Sequence, residues 1–163
     1  MKKLGMYQFI RRSWLMALLM LVALPAWSAP PTGCTINSLS GLSFGSYDVF
    51  SLTADTGTAS FTVQNCSNGK SSYTAALSTG GGSYTSRTMT LVGGTEKLSY
   101  NLYTSSAYTT VWGDGTGSTS TVAGTGSTGA SGGTTVTIYG RIPAGQDVSA
   151  GSYSDSLTLT ITF

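Results

Sequence analysis

The stretch Ser152–Phe163, SYSDSLTLTITF, sets Leu157, Leu159, Ile161 and Phe163 at alternate positions, with Ser156, Thr158, Thr160 and Thr162 between them. A period of two is the mark of a β-strand with one apolar and one hydroxylated face. The sequence therefore predicts a strand over Tyr153–Phe163. It stops on an aromatic side chain within the pattern, which raises the question of what packs beside that strand.

Working back from it, the chain is a series of similar short runs: CTINSL (34–39), LSFGSYDVF (42–50), ASFTVQNC (59–66), SYTAALS (72–78), RTMTLV (87–92), KLSYNLYT (97–104) and TTVTIYGRI (134–142). Each alternates or is enriched in β-branched and aromatic residues, and Gly, Ser, Asn and Asp separate them. Gly93 and Gly94 between two runs predict a hairpin. About eight strands around one core predict an all-β, immunoglobulin-like antiparallel sandwich. Gly113–Gly133 is nearly all Gly, Ser, Thr and Ala and is expected to be a long, mobile surface loop.

The first 28 residues differ from the rest. Lys2, Lys3, Arg11 and Arg12 precede an apolar run from Trp14 to Leu24, and Ala26 and Ser28 supply the small residues of a cleavage site before Ala29. This is the pattern of a secretory signal peptide, and its apolar run is shorter than the roughly 20 residues a membrane span needs. A single mature domain over 29–163 is expected, with no membrane insertion after cleavage. Four of the eight basic residues leave with the signal, so four remain against six acids and the mature net charge is 4 − 6 = −2. No basic patch is left to recruit nucleic acid or anionic lipid.

Two cysteines, Cys34 and Cys66, in a chain bound for an oxidising compartment predict one disulfide rather than a metal site. The chain has no histidine and only six acids, so paired acid-base or nucleophilic machinery is not expected, and neither enzyme activity nor a cofactor is predicted. GTGSTG (124–129) matches a dinucleotide fingerprint by letters, but a Ser/Gly run follows it where a helix is required. NGKSS (68–72) lacks the first glycine of a phosphate loop. WGDGTG (112–117) offers one carboxylate, Asp114, which suits a turn better than calcium. NCS at Asn65 formally matches a glycosylation acceptor but has Cys66 at its centre.

The ordered set of a cysteine opening the first strand, SFGSYD, ASFTVQNC, LSYNLYTS, VWGDGTG, TVTIYGRIPAGQ and the terminal GSYSDSLTLTITF resembles the spore coat protein U domain family, which includes subunits of archaic chaperone-usher pili. The resemblance spans Cys34–Phe163. It implies an immunoglobulin-like fold lacking its last strand, completed by a strand from another chain. The implied partners are a periplasmic chaperone, an outer-membrane usher and other pilin subunits. The implied route is through the periplasm to a fimbrium on a Gram-negative cell. On this reading Leu157, Leu159, Ile161 and Phe163 line the acceptor groove, supported by Phe44, Phe61, Val63, Leu98, Tyr100 and Leu102.

Only Ala29–Gly33, with two prolines, precedes Cys34 in the expected mature chain, too little for a donor strand. A strand-accepting tip or minor subunit for surface attachment and biofilm formation is therefore the leading expectation. The alternatives are a secreted coat or matrix protein that needs no usher, and a carbohydrate-binding module using Trp112, Tyr103 and Tyr108.

Overall fold

The computed structural model describes residues 33–66, 72–127 and 133–163, all within one compact unit, Pro31–Phe163. The expected signal peptide lies outside the described residues, as do residues 67–71 and 128–132.

The described residues form nine strands and no helix: β1 (Thr35–Asn37), β2 (Asp55–Gln64), β3 (Ser72–Leu77), β4 (Arg87–Leu91), β5 (Lys97–Tyr103), β6 (Val122–Thr125), β7 (Thr134–Ile142), β8 (Tyr153–Ser154) and β9 (Leu159–Thr162). They make two antiparallel sheets, one ordered β1-β2-β7-β5-β4-β8 and the other β6-β3-β9. The long central pair β2 and β7 runs from Asp55 opposite Ile142 to Val63 opposite Thr134. That register turns Ala59, Phe61 and Val63 inward with Val136, Ile138 and Ile142, because alternate residues of a strand share a face. Leu98, Tyr100 and Leu102 of β5 extend this surface, and Tyr73, Ala75 and Leu77 of β3 face it from the smaller sheet. The result is an all-β antiparallel sandwich.

Three expectations are corrected. First, LSFGSYDVF (42–50) is not a strand. Its alternating Leu42 and Phe44 are half-buried, but they pack over a notch formed by Gly57 and Gly140, which sit opposite each other on β2 and β7. A Cβ on Gly57 would come within 2.5 Å of the Ser43 carbonyl oxygen, and one on Gly140 within 2.8 Å of both Leu42 and Phe44. The segment is held by side-chain packing across the sheet rather than by a ladder.

Second, the single strand expected over Tyr153–Phe163 is two strands in different sheets. β8 pairs with β4 at the edge of the larger sheet, and β9 pairs with β3 in the smaller one. Residues 155–158 cross between them. Third, the Gly113–Gly133 stretch is not wholly loop. β6 forms within it, pairing Val122–Thr125 with β3, and Trp112 bridges Ser120. The Gly93–Gly94 hairpin is present, with the Leu91 N–H donating to the Glu96 carbonyl at 3.0 Å.

Candidate strand-acceptor groove

An apolar groove of about 790 Å³ runs between the edges of the two sheets. One wall is the β9 side, with Leu157, Leu159, Ile161 and Phe163. The opposite wall is Ile36 of β1 with Leu39, Leu42 and Phe44. Ala59, Leu77, Met89, Tyr100, Leu102 and Ile138 form its floor, and Tyr153–Asp155 close one end.

Both walls end in sheet edges. β9 is hydrogen-bonded to β3 on one side and, among the described residues, has no strand on the other; β1 is likewise terminal in the larger sheet. Leu39 is 59% exposed and Ile36, Leu157 and Phe163 between 36% and 40%. Four large apolar side chains thus stay partly wet while the floor beneath them, apart from half-buried Met89, is dry. An edge with unpaired backbone groups above apolar surface is the local chemistry that accepts an added strand.

The residues singled out from the sequence fall into two groups. Leu157, Leu159, Ile161, Phe163, Phe44, Tyr100 and Leu102 meet at the groove. Phe61, Val63 and Leu98 are fully buried in the core and do not line it. Phe44 and Tyr100 pack edge to face, centroids 5.8 Å apart, joining one wall to the floor. Cys34 and Cys66 are joined in a disulfide, which ties the start of β1 to the end of β2.

Sequence reasoning missed a polar cluster at the closed end. Asp155, at the crossover between sheets, accepts from the Tyr100 hydroxyl at 2.7 Å, the Gly81 N–H at 2.9 Å and the Ser156 N–H at 2.8 Å. Burial, then the Asp155 carboxylate, pushes the Tyr100 phenol far above its ordinary value, so it stays a donor.

Behind it Arg87 is completely buried. Its guanidinium donates to the Ser78 carbonyl from Nε (3.1 Å) and Nη2 (2.8 Å), to the Trp112 carbonyl (2.7 Å) and to Asn101 Oδ1 (2.6 Å). Burial lowers its pKa from the ordinary arginine value, opposed by the nearby Tyr100, Tyr84 and Asp155, and the carbonyl oxygens it bonds replace the water it has lost. A lone arginine opening an alternating run carries no sequence signal of burial.

Trp112 corrects the carbohydrate reading. It is fully buried, donates its indole N–H to the Ala75 carbonyl at 3.0 Å and packs against Phe61, so it has no face to offer a sugar. Tyr103 and Tyr108 do lie together at the surface, edge to face at 5.5 Å. Asp114 makes a turn, accepting from the Thr116 N–H at 2.9 Å.

Among solved structures, the chain is similar to one in the CsuC–CsuE chaperone–tip adhesion subunit pre-assembly complex from archaic chaperone-usher Csu pili of Acinetobacter baumannii, at 17% identity and a TM-score of 0.48. That match covers 80% of this chain and 39% of the other, so the chain spans about two fifths of that neighbour's length. Among curated proteins it is 33% identical over 146 residues to Protein U of Myxococcus xanthus, covering 80% of this chain and 77% of that protein. The model of the Spore Coat Protein U domain matches residues 20–160. The chain belongs to the Spore Coat Protein U domain family.

Proposed function

We propose that this chain is a structural, strand-accepting subunit of a chaperone-usher pilus, completed by a β-strand from another polypeptide. The observation that carries the reading is the groove between β9 and β1, whose apolar floor is roofed by no strand among the described residues. A donor burying four or five apolar side chains there would gain on the order of 6 to 15 kcal/mol gross, at about 1.5 to 3 kcal/mol each. That is comparable with the whole stability of a typical domain, about 5 to 15 kcal/mol. The partners follow from the mechanism: a periplasmic chaperone in transit, an usher at the outer membrane, and a neighbouring subunit in the fibre.

The disulfide agrees with secretion, and a signal peptide over 1–28 followed by one domain over 29–163 completes the reading. Cleavage before Ala29 would leave Ala29–Gly33 ahead of Cys34, a reach of at most about 17 Å with two residues lacking an N–H. This supports a tip or minor position, where a subunit accepts a strand without donating one. Attachment to surfaces is supported by Phe50 and Leu52, 89% and 95% exposed on a turn that Asp48 caps, with Val92 exposed at the same end of the larger sheet.

The experiment is recovery of the tagged chain from the periplasm. A chaperone that co-purifies and leaves only on denaturation supports the reading; a free, folded monomer as the sole species contradicts it. The family's name favours one second reading, a secreted coat protein assembled without an usher. Surface display that persists when the usher is deleted would select it.

A further inference from the structure

We infer that Arg87, which touches neither wall of the groove, is the positioning residue that sets the place of its β9 wall. The inference rests on the strand-acceptor reading for its functional meaning, but its structural content stands on separate observations.

The path is a chain of hydrogen bonds from the Arg87 side chain through the backbone and hydroxyl of Ser78. Two guanidinium nitrogens of Arg87 converge on the Ser78 carbonyl, while the same group is anchored to Trp112 and Asn101. Asn101 is itself fixed, its amide donating to the Tyr84 carbonyl at 2.9 Å. The fork therefore fixes the peptide just after β3. Ser78 in turn donates its N–H to the Thr158 carbonyl at 3.0 Å and accepts the Thr158 N–H at its Oγ at 2.9 Å. Thr158 is the residue before β9 begins. From Arg87 to the accepting edge there is one intermediary, Ser78.

This arrangement meets a specific need. β9 is a short edge strand attached to one neighbour, β3, and short edge strands are where local opening concentrates. The crossover before it must change sheets. A donor pairs with β9 most tightly if that edge is already in place, since ordering it on binding would cost affinity. A planar, two-donor fork fixes a carbonyl in a way that a lysine ammonium does not. Removing the Ser78 hydroxyl takes away one of the two bonds in the next link, that from the Thr158 N–H, while leaving the carbonyl that Arg87 holds.

The test uses the oxidised mature chain, R87K and Ser78→Ala, with two readouts. Hydrogen exchange should show the β9 amides that face β3 exchanging at least about tenfold faster in both variants, with β2 and β7 amides unchanged, and no further increase in the double variant. Capture of a fluorescent peptide of about nine alternating valine and threonine residues should slow to a similar degree. Exchange that rises uniformly, or not at all, overturns the inference, and so does Ser78→Ala without effect. If the unmodified chain never captures the peptide, the acceptor reading fails, whereas the exchange result still decides the role of Arg87 in holding β9.

Discussion

The Tyr100 hydroxyl donates to Asp155 at 2.7 Å, so a residue on the groove floor holds the point at which the chain leaves one sheet for the other. Tyr100→Phe leaves a carboxylate oxygen without that partner and should cost about 1 to 3 kcal/mol in chemical denaturation. The pair also predicts an alkaline response. The folded-state pKa of Tyr100 is raised above its unfolded value near 10, so its contribution is complete below about pH 10 and is lost as pH rises beyond it. Stability of the native chain should therefore decline above about pH 10, and Tyr100→Phe should flatten that limb. Parallel declines in both proteins would contradict the assignment.

Reducing the Cys34–Cys66 disulfide, or replacing both cysteines with serine, should cost about 3 to 4 kcal/mol for a loop of 32 residues. The loss is read as a shift in the denaturant midpoint with and without reductant.

Trp112→Ala should cost about 3 to 5 kcal/mol, because the indole is completely buried and its N–H is bonded to Ala75. A variant with unchanged stability and altered glycan binding would restore the carbohydrate reading that burial removes.

Leu157→Lys should separate folding from assembly. Leu157 is 36% exposed on the groove wall, so the isolated chain should change by less than about 1 kcal/mol. Capture by a partner strand should be lost, since the cation would be buried without a counter-charge. Comparing the melting of the free variant with its recovery in a partner complex checks both halves.

Much of the fold is legible in the alternation of residues: β7 is predicted residue for residue from TTVTIYGRI, and the inward faces of β2 and β5 follow from ASFTVQNC and KLSYNLYT. The misses share one cause, that their determinants are remote in sequence. SYSDSLTLTITF reads as one strand because nothing local marks its break; Gly81 and Tyr100 hold Asp155 at the switch. LSFGSYDVF alternates like a strand, yet Gly57 and Gly140 make the notch that seats it. β6 is hidden in a glycine-rich stretch because its place depends on β3. At the groove, the apolar walls are visible as periodicity, whereas the buried fork of Arg87 is a property of packing alone.

The most direct measurement is hydrogen exchange at Leu159–Thr162 and Thr35–Asn37 in the isolated chain and in its complex with a partner recovered from the periplasm. The account predicts fast exchange at the groove-facing amides of these two edges in the free chain and strong, simultaneous protection of them in the complex, with β2, β7 and the β9 amides that face β3 protected in both. Equal protection in the free chain, or a complex that leaves both edges unprotected, would contradict it.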